Sequence, residues 1–130
     1  MTVDYLLNLL KGCEYLDDFI IAVGFLDEKN NSVSIVPDGD DEVVRKYCDG
    51  AKIMGYGFSL IIRLATDFSD NSKNLEFLEK LTDWLSSIRL SDDFLHIPLG
   101  IVINKGPKLK EDKIHSLKYE INCRFFYLQE

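Results

Sequence analysis

The closing stretch of the chain, Lys118-Tyr-Glu-Ile-Asn-Cys-Arg-Phe-Phe-Tyr-Leu-Gln-Glu130, constrains the fold more than any other segment. From Lys118 to Phe125 polar and apolar residues alternate, the pattern of a strand with one face in a core and the other in water. The alternation then fails, because Phe125, Phe126, Tyr127 and Leu128 are all apolar. Successive side chains of a strand point to opposite faces, so only two of these four can enter the core of their own sheet. Phe126 and Leu128 therefore emerge on the other face, where a helix of the same chain or a neighbouring subunit has to cover them.

An earlier segment repeats the arrangement. Between Tyr56 and Leu64 the residues Tyr56, Phe58, Leu60, Ile62 and Leu64 share one face, and Gly57, Ser59, Ile61 and Arg63 share the other. Each long strand thus carries an arginine, Arg63 or Arg124, among apolar neighbours on its non-core face. Asp49-Gly50, just ahead of the first of them, is a hairpin signal whose residues tolerate positive φ.

The remaining elements follow from spacing. Val3, Leu6, Leu7 and Leu10 predict a short amphipathic helix with Thr2 as its N-cap and Gly12 as its stop. The apolar run Phe19 to Leu26, a turn at Lys29-Asn30-Asn31 and the piece Val33 to Val36 predict a hairpin. A second helix follows, capped by Asp70 or Ser72, with Leu75, Leu78, Leu81, Leu85 and Ile88 down one side, Phe77 and Trp84 along the flank, and Glu76 paired to Lys80. A strand around Leu99 to Asn104, interrupted or bulged at Gly106-Pro107, then turns near Glu111-Asp112 into the closing strand. The expected fold is one α+β domain over residues 1–130, an antiparallel sheet built from hairpins with helices packed on one face.

Function is less legible in the residues. Three cysteines, Cys13, Cys48 and Cys123, form no C-x-x-C pair and read as small, buried or half-buried apolar residues of a reducing compartment. The chain shows no secretory signal and no apolar run of membrane-spanning length, so a cytoplasmic origin and no membrane are expected. With 22 acidic against 15 basic residues the net charge is −7, and no cluster of Lys and Arg stands out to grip nucleic acid. Asp38, Asp40 and Glu42 begin like a calcium loop, but Val43 stands where the turn needs Gly and Asp49 where a bidentate Glu belongs, so a solvated acidic loop is the better reading. Gly55-Tyr-Gly57 opens a strand rather than a helix and lets that strand bend or admit a close backbone. His96 and His115 lack ligand-spaced companions and read as surface or edge residues. No catalytic residue, metal site or cofactor is expected. An enzyme would require a concave pocket that collects His96 or His115 with a carboxylate.

KYCDG followed by an aromatic strand, the helix NLEFLEKLTDWL and the closing KYEINCRFFYLQE resemble the tail-terminator or tail-completion proteins, some described as minor capsid proteins, of long-tailed phages and prophages of Gram-positive bacteria. The resemblance covers residues 43–130 and is most specific in the last dozen. It implies a tail-terminator-like fold and a non-enzymatic subunit that forms a homo-oligomeric, commonly hexameric, ring on the tail tube. Such a ring stops tube polymerisation and presents the surface to which head-tail connector proteins join, while DNA passes through without specific binding. The expected location is the virion, in the tail or neck, after assembly in the bacterial cytoplasm. A neck protein of related fold is the alternative. The residues expected at the subunit or tail interface are Arg63, Arg124, Phe126 and Leu128.

Overall fold

The computed structural model describes residues 2–25, 31–65, 72–91, 94–113 and 116–130. Helix α1 spans Thr2–Lys11 and leads through a 3-10 turn, Glu14–Leu16, into strands β1 (Ile20–Val23), β2 (Ser32–Pro37), β3 (Glu42–Lys46) and β4 (Lys52–Ala65). Helix α2 (Ser72–Ser87) precedes β5 (Ile97–Lys113) and β6 (Ser116–Gln129). The architecture is α+β, with the strands in the order β1-β2-β4-β6-β5 and β3 added beside β4. β2 and β3 lie end to end along β4, opposite Phe58–Arg63 and Lys52–Gly55 respectively, so they act as one strand interrupted by the turn at residues 38–41. The Asp49-Gly50 hairpin that joins β3 to β4 forms as expected: Gly50 has φ +93°, and the Tyr47 amide donates to the Ala51 carbonyl at 2.8 Å.

Both helices press on one face. Leu6 and Leu10 of α1 and Leu78, Leu81 and Leu85 of α2 join Val33, Ile35, Phe58, Leu60, Ile62, Tyr119, Ile121 and Phe125 in a single buried cluster. The even-numbered residues of β4 and the odd-numbered residues of β6 supply most of the sheet's share, the faces that alternation assigns to them. Fully burying each such Leu, Ile or Phe is worth about 1.5 to 3 kcal/mol, which makes this layer the main source of stability.

Several local expectations are corrected. β1 and β2 do not form a hairpin: they pair in parallel, Ile20 opposite Ser32 and Val23 opposite Ile35. The connection between them is too long for a tight turn, and the described residues next to it, Gly24 with φ 82° and Asn31 with φ 62°, are left-handed. Lys29 and Asn30 of the expected turn lie outside the described residues, as do Asp70 and His115. Thr2 is already helical, and its hydroxyl donates to Asp41 at 3.1 Å. Leu75 is 52% exposed. At 100° per residue it stands about 90° round the helix from the centre of the Leu78, Leu81 and Leu85 stripe, too far to reach the sheet. β5 shifts register around Lys105 and Lys108, as Gly106-Pro107 foretold, but it stays paired to Lys113 and so passes through the expected turn at Glu111-Asp112.

Candidate functional site

The sheet face opposite the helices is built in rows that cross β4, β6 and β5. Ile53, Leu128 and Ile97 make one row, Gly55, Phe126 and Gly100 the next, then Gly57, Arg124 and Val102, then Ser59, Asn122 and Lys105. Directly opposed residues on neighbouring strands touch, so each row is a contact set. Leu128 gains apolar flanks from Ile53 and Ile97, whereas Phe126 is flanked by two glycines that offer it no side chain. Arg124 fills that gap. Its guanidinium carbon lies 5.3 Å from the centre of the Phe126 ring, and its Nη2 is 3.5 Å from Glu42 of β3.

Gly55 makes this possible. A Cβ at that position would come within 2.7 Å of Arg124 Nε and within 2.9 Å of its Nη2, so the guanidinium rests where any other residue would project. What approaches the strand is a side chain of the neighbouring strand rather than another backbone. The result is a half-buried platform of Arg124, Phe126 and Leu128 with the exposed carboxylate of Glu42 at its rim. On such a platform the arginine keeps a charge and several donors available to a partner while the ring and Leu128 supply apolar area.

Of the four residues expected at an interface, three come together here and one does not. Arg63 shares the face but pairs with Lys118, six positions along β4 from Gly57. At ~3.4 Å per residue that is about 20 Å away. Its Nη1 lies 3.3 Å from Ser116 Oγ, at the opposite end of the sheet. Neither helix covers Phe126 or Leu128, since both helices belong to the other face.

A second feature lies on the helix side. An open cleft of about 1000 Å³ runs between α1, the end of α2 and the segment leading into β5, and Asp4, Asp41, Trp84, Arg89, His96 and Tyr127 are among its walls. Asp41 is its polar centre: it accepts hydrogen bonds from the hydroxyls of both Thr2 and Tyr127. Burial, then this bond and the Asp41 charge, push the Tyr127 phenol well above the ordinary tyrosine range, so it stays protonated as a donor. Tyr56 is raised by burial and by the charges of Asp41, Asp38 and Asp4. His96 is not a plain surface residue, because it is half-buried and stacks on Tyr127 with ring centres 5.3 Å apart. His96 and the carboxylates of Asp4 and Asp41 thus line the same open cleft, and the contacts of His96 within it are with the rings of Phe94 and Tyr127. Tyr5 donates its hydroxyl proton to the Ser91 carbonyl at 2.8 Å, so three hydroxyls of the cleft, those of Thr2, Tyr5 and Tyr127, serve to tie elements together.

The acidic loop is only partly solvated as a consequence. Asp38, Asp40 and Glu42 are exposed, while Asp41 turns inward. Cysteine usage also splits, with Cys13 and Cys123 buried and Cys48 exposed. Burial pushes the Cys123 thiol up to about 12, an unreactive state. The sequence carried a signal for the Arg124 platform in its non-core arginine, but none for the Asp41 contacts, which join residues 39 and 86 positions apart. No helix among the described residues is long and apolar enough to cross a membrane. The chain matches no protein-family model and no curated protein.

Proposed function

We propose that this protein is a non-enzymatic, ring-forming structural subunit, a tail terminator that caps a phage tail tube, ends its polymerisation and presents the head-joining surface. One observation carries the reading: a sheet with both helices on one face leaves the Arg124, Phe126 and Leu128 platform on the other. An apolar ring seated between two glycines and roofed by an arginine fits a surface that a neighbouring subunit or a tail protein covers. The resemblance of the closing strand to tail-completion proteins supplies the identity of those partners, the tail tube protein and the head-tail connector. DNA passes through the assembled ring without specific binding.

Electron microscopy of the concentrated protein, alone and with purified tail tubes, tests this. Rings, or tubes capped at one end by this chain, are the expected result; neither rings nor capping sinks it. Gene position separates a terminator from a neck protein, since a terminator gene should lie just before the major tail protein gene.

The helix-side cleft favours a second reading, a small-molecule enzyme using His96 with Asp4 or Asp41. Shifts of the His96 imidazole signals on titration with small metabolites would carry that reading. Normal capping of tubes by a His96→Ala chain, with those shifts abolished, would show that the two activities are separate.

A further inference from the structure

Charge is distributed along this chain with a polarity that the total conceals. Residues 1–50 hold 11 Asp and Glu against 4 Lys and Arg, which accounts for the whole net charge of −7, while residues 51–130 hold 11 of each. The acidic part builds α1, β1, β2 and β3. All of its strands lie on one side of β4, and β6 and β5 lie on the other. Within the second part, residues 105–118 gather five lysines against Glu111 and Asp112. Three of these lysines, Lys105, Lys108 and Lys110, are exposed on β5 at the outer edge of the sheet, and Lys110 also reaches Glu120 of β6 at 3.7 Å. On the opposite flank the β2–β3 turn exposes Asp38 and Asp40.

We infer that the β5 edge of one copy docks on the Asp38–Asp40 turn of the next, joining copies head to tail. The occupant is a second copy because the two surfaces are complementary to each other. A twofold contact of either flank with itself would set lysines against lysines or carboxylates against carboxylates, at a Coulombic cost. Only the heterologous arrangement brings opposite charges together, and repeated heterologous contacts close into rings when the rotation permits. β5 meets its neighbour through side chains rather than by adding a strand, because its lysines, Pro107 and four register shifts blunt it as a pairing edge. The inference rests on the ring reading for the closure of the assembly. The open-face platform is a separate contact that survives if the edges prove idle.

The experiment is a charge swap read by sedimentation velocity at low ionic strength, with circular dichroism confirming that each variant is folded. One variant carries Lys105→Glu, Lys108→Glu and Lys110→Glu; the other carries Asp38→Lys and Asp40→Lys. The wild-type chain is expected to associate, and to lose that association at high salt, because exposed charge pairs are screened. Each variant alone should associate at least tenfold more weakly, since both of its flanks then bear one sign. Mixing the two should restore association in alternating copies. Three results overturn the inference: a wild-type chain that stays monomeric at low salt, variants that associate as wild type does, or a mixture that stays dissociated. Wild-type chain retained on double-stranded DNA, with retention lost in the lysine variant and association unchanged, would assign the edge to nucleic acid instead. Failure of the swap with tube capping intact removes this contact and keeps the tail reading.

Discussion

The two faces of the sheet share the strand β6 and solve opposite problems. On the helix side of β6, Phe125 and Tyr127 are 0% and 4% exposed, packed under Tyr5 and Phe94. One residue further along, on the other side, Phe126 is only half-buried, and its nearest roof is a charged side chain of its own strand. The buried face spends its apolar area on holding the monomer together. The open face holds its area in reserve, in a form that water tolerates.

The largest expected difference between the faces is in stability. Phe125→Ala should lower the free energy of unfolding by about 3 to 5 kcal/mol, seen as a fall in the urea midpoint, because the cavity forms among fixed neighbours. A loss under about 1 kcal/mol would mean that the helix layer packs loosely and that the contrast is overstated. Alkaline pH probes the same face. The Cys123 thiol is raised by burial from 9.0 to about 12, so the folded state holds its proton more tightly than the unfolded state does. Its contribution is complete below pH 9 and is lost as pH climbs towards 12. By linkage that loss is at most about 4 kcal/mol. Tyr127, also raised, adds to the decline above the ordinary tyrosine range. Cys123→Ala should flatten the slope of stability against pH over that interval.

Tyr127→Phe removes one of the two hydrogen bonds to Asp41 and should cost about 1 to 2 kcal/mol, measured by thermal melting. Phe126→Ala is the decisive comparison with Phe125→Ala. It should cost under about 1 kcal/mol in the free chain, since the ring is already half in water, yet abolish tube capping. If capping survives, the open face is not an interface. Glu42→Gln should be the mildest change, within about 0.5 kcal/mol, because the carboxylate facing Arg124 is 77% exposed and the pair is long.

Alternation made most of this legible. Tyr56 to Leu64 and Lys118 to Phe125 fall on the faces that period-two reading assigns, and the helix around Leu78, Leu81 and Leu85 lies where its spacing puts it. Pairing direction was hidden, because Phe19 to Leu26 and Val33 to Val36 read the same whether the strands run together or opposed. The candidate sites divided in the same way. Arg124 on a non-core face marks the platform at once, but Gly55 as the floor beneath its guanidinium belongs to a different strand. His96 looked isolated because its partner Tyr127 is thirty-one residues away in the chain and adjacent only in the fold.

β6 is the last strand in the chain and sits between β4 and β5. Every pair that it makes with β4 spans from 51 residues, Ala65 with Ser116, to 77 residues, Lys52 with Gln129. Closing such spans forfeits chain entropy before any contact repays it, so the sheet assembles slowly for a domain of this length. β5 and β6 pair with each other as consecutive antiparallel strands, so the long-span step is the docking of this pair on β4. Substitutions on the β4 side of β6 should therefore slow refolding more than equally destabilising ones in α1, read by stopped-flow refolding rates.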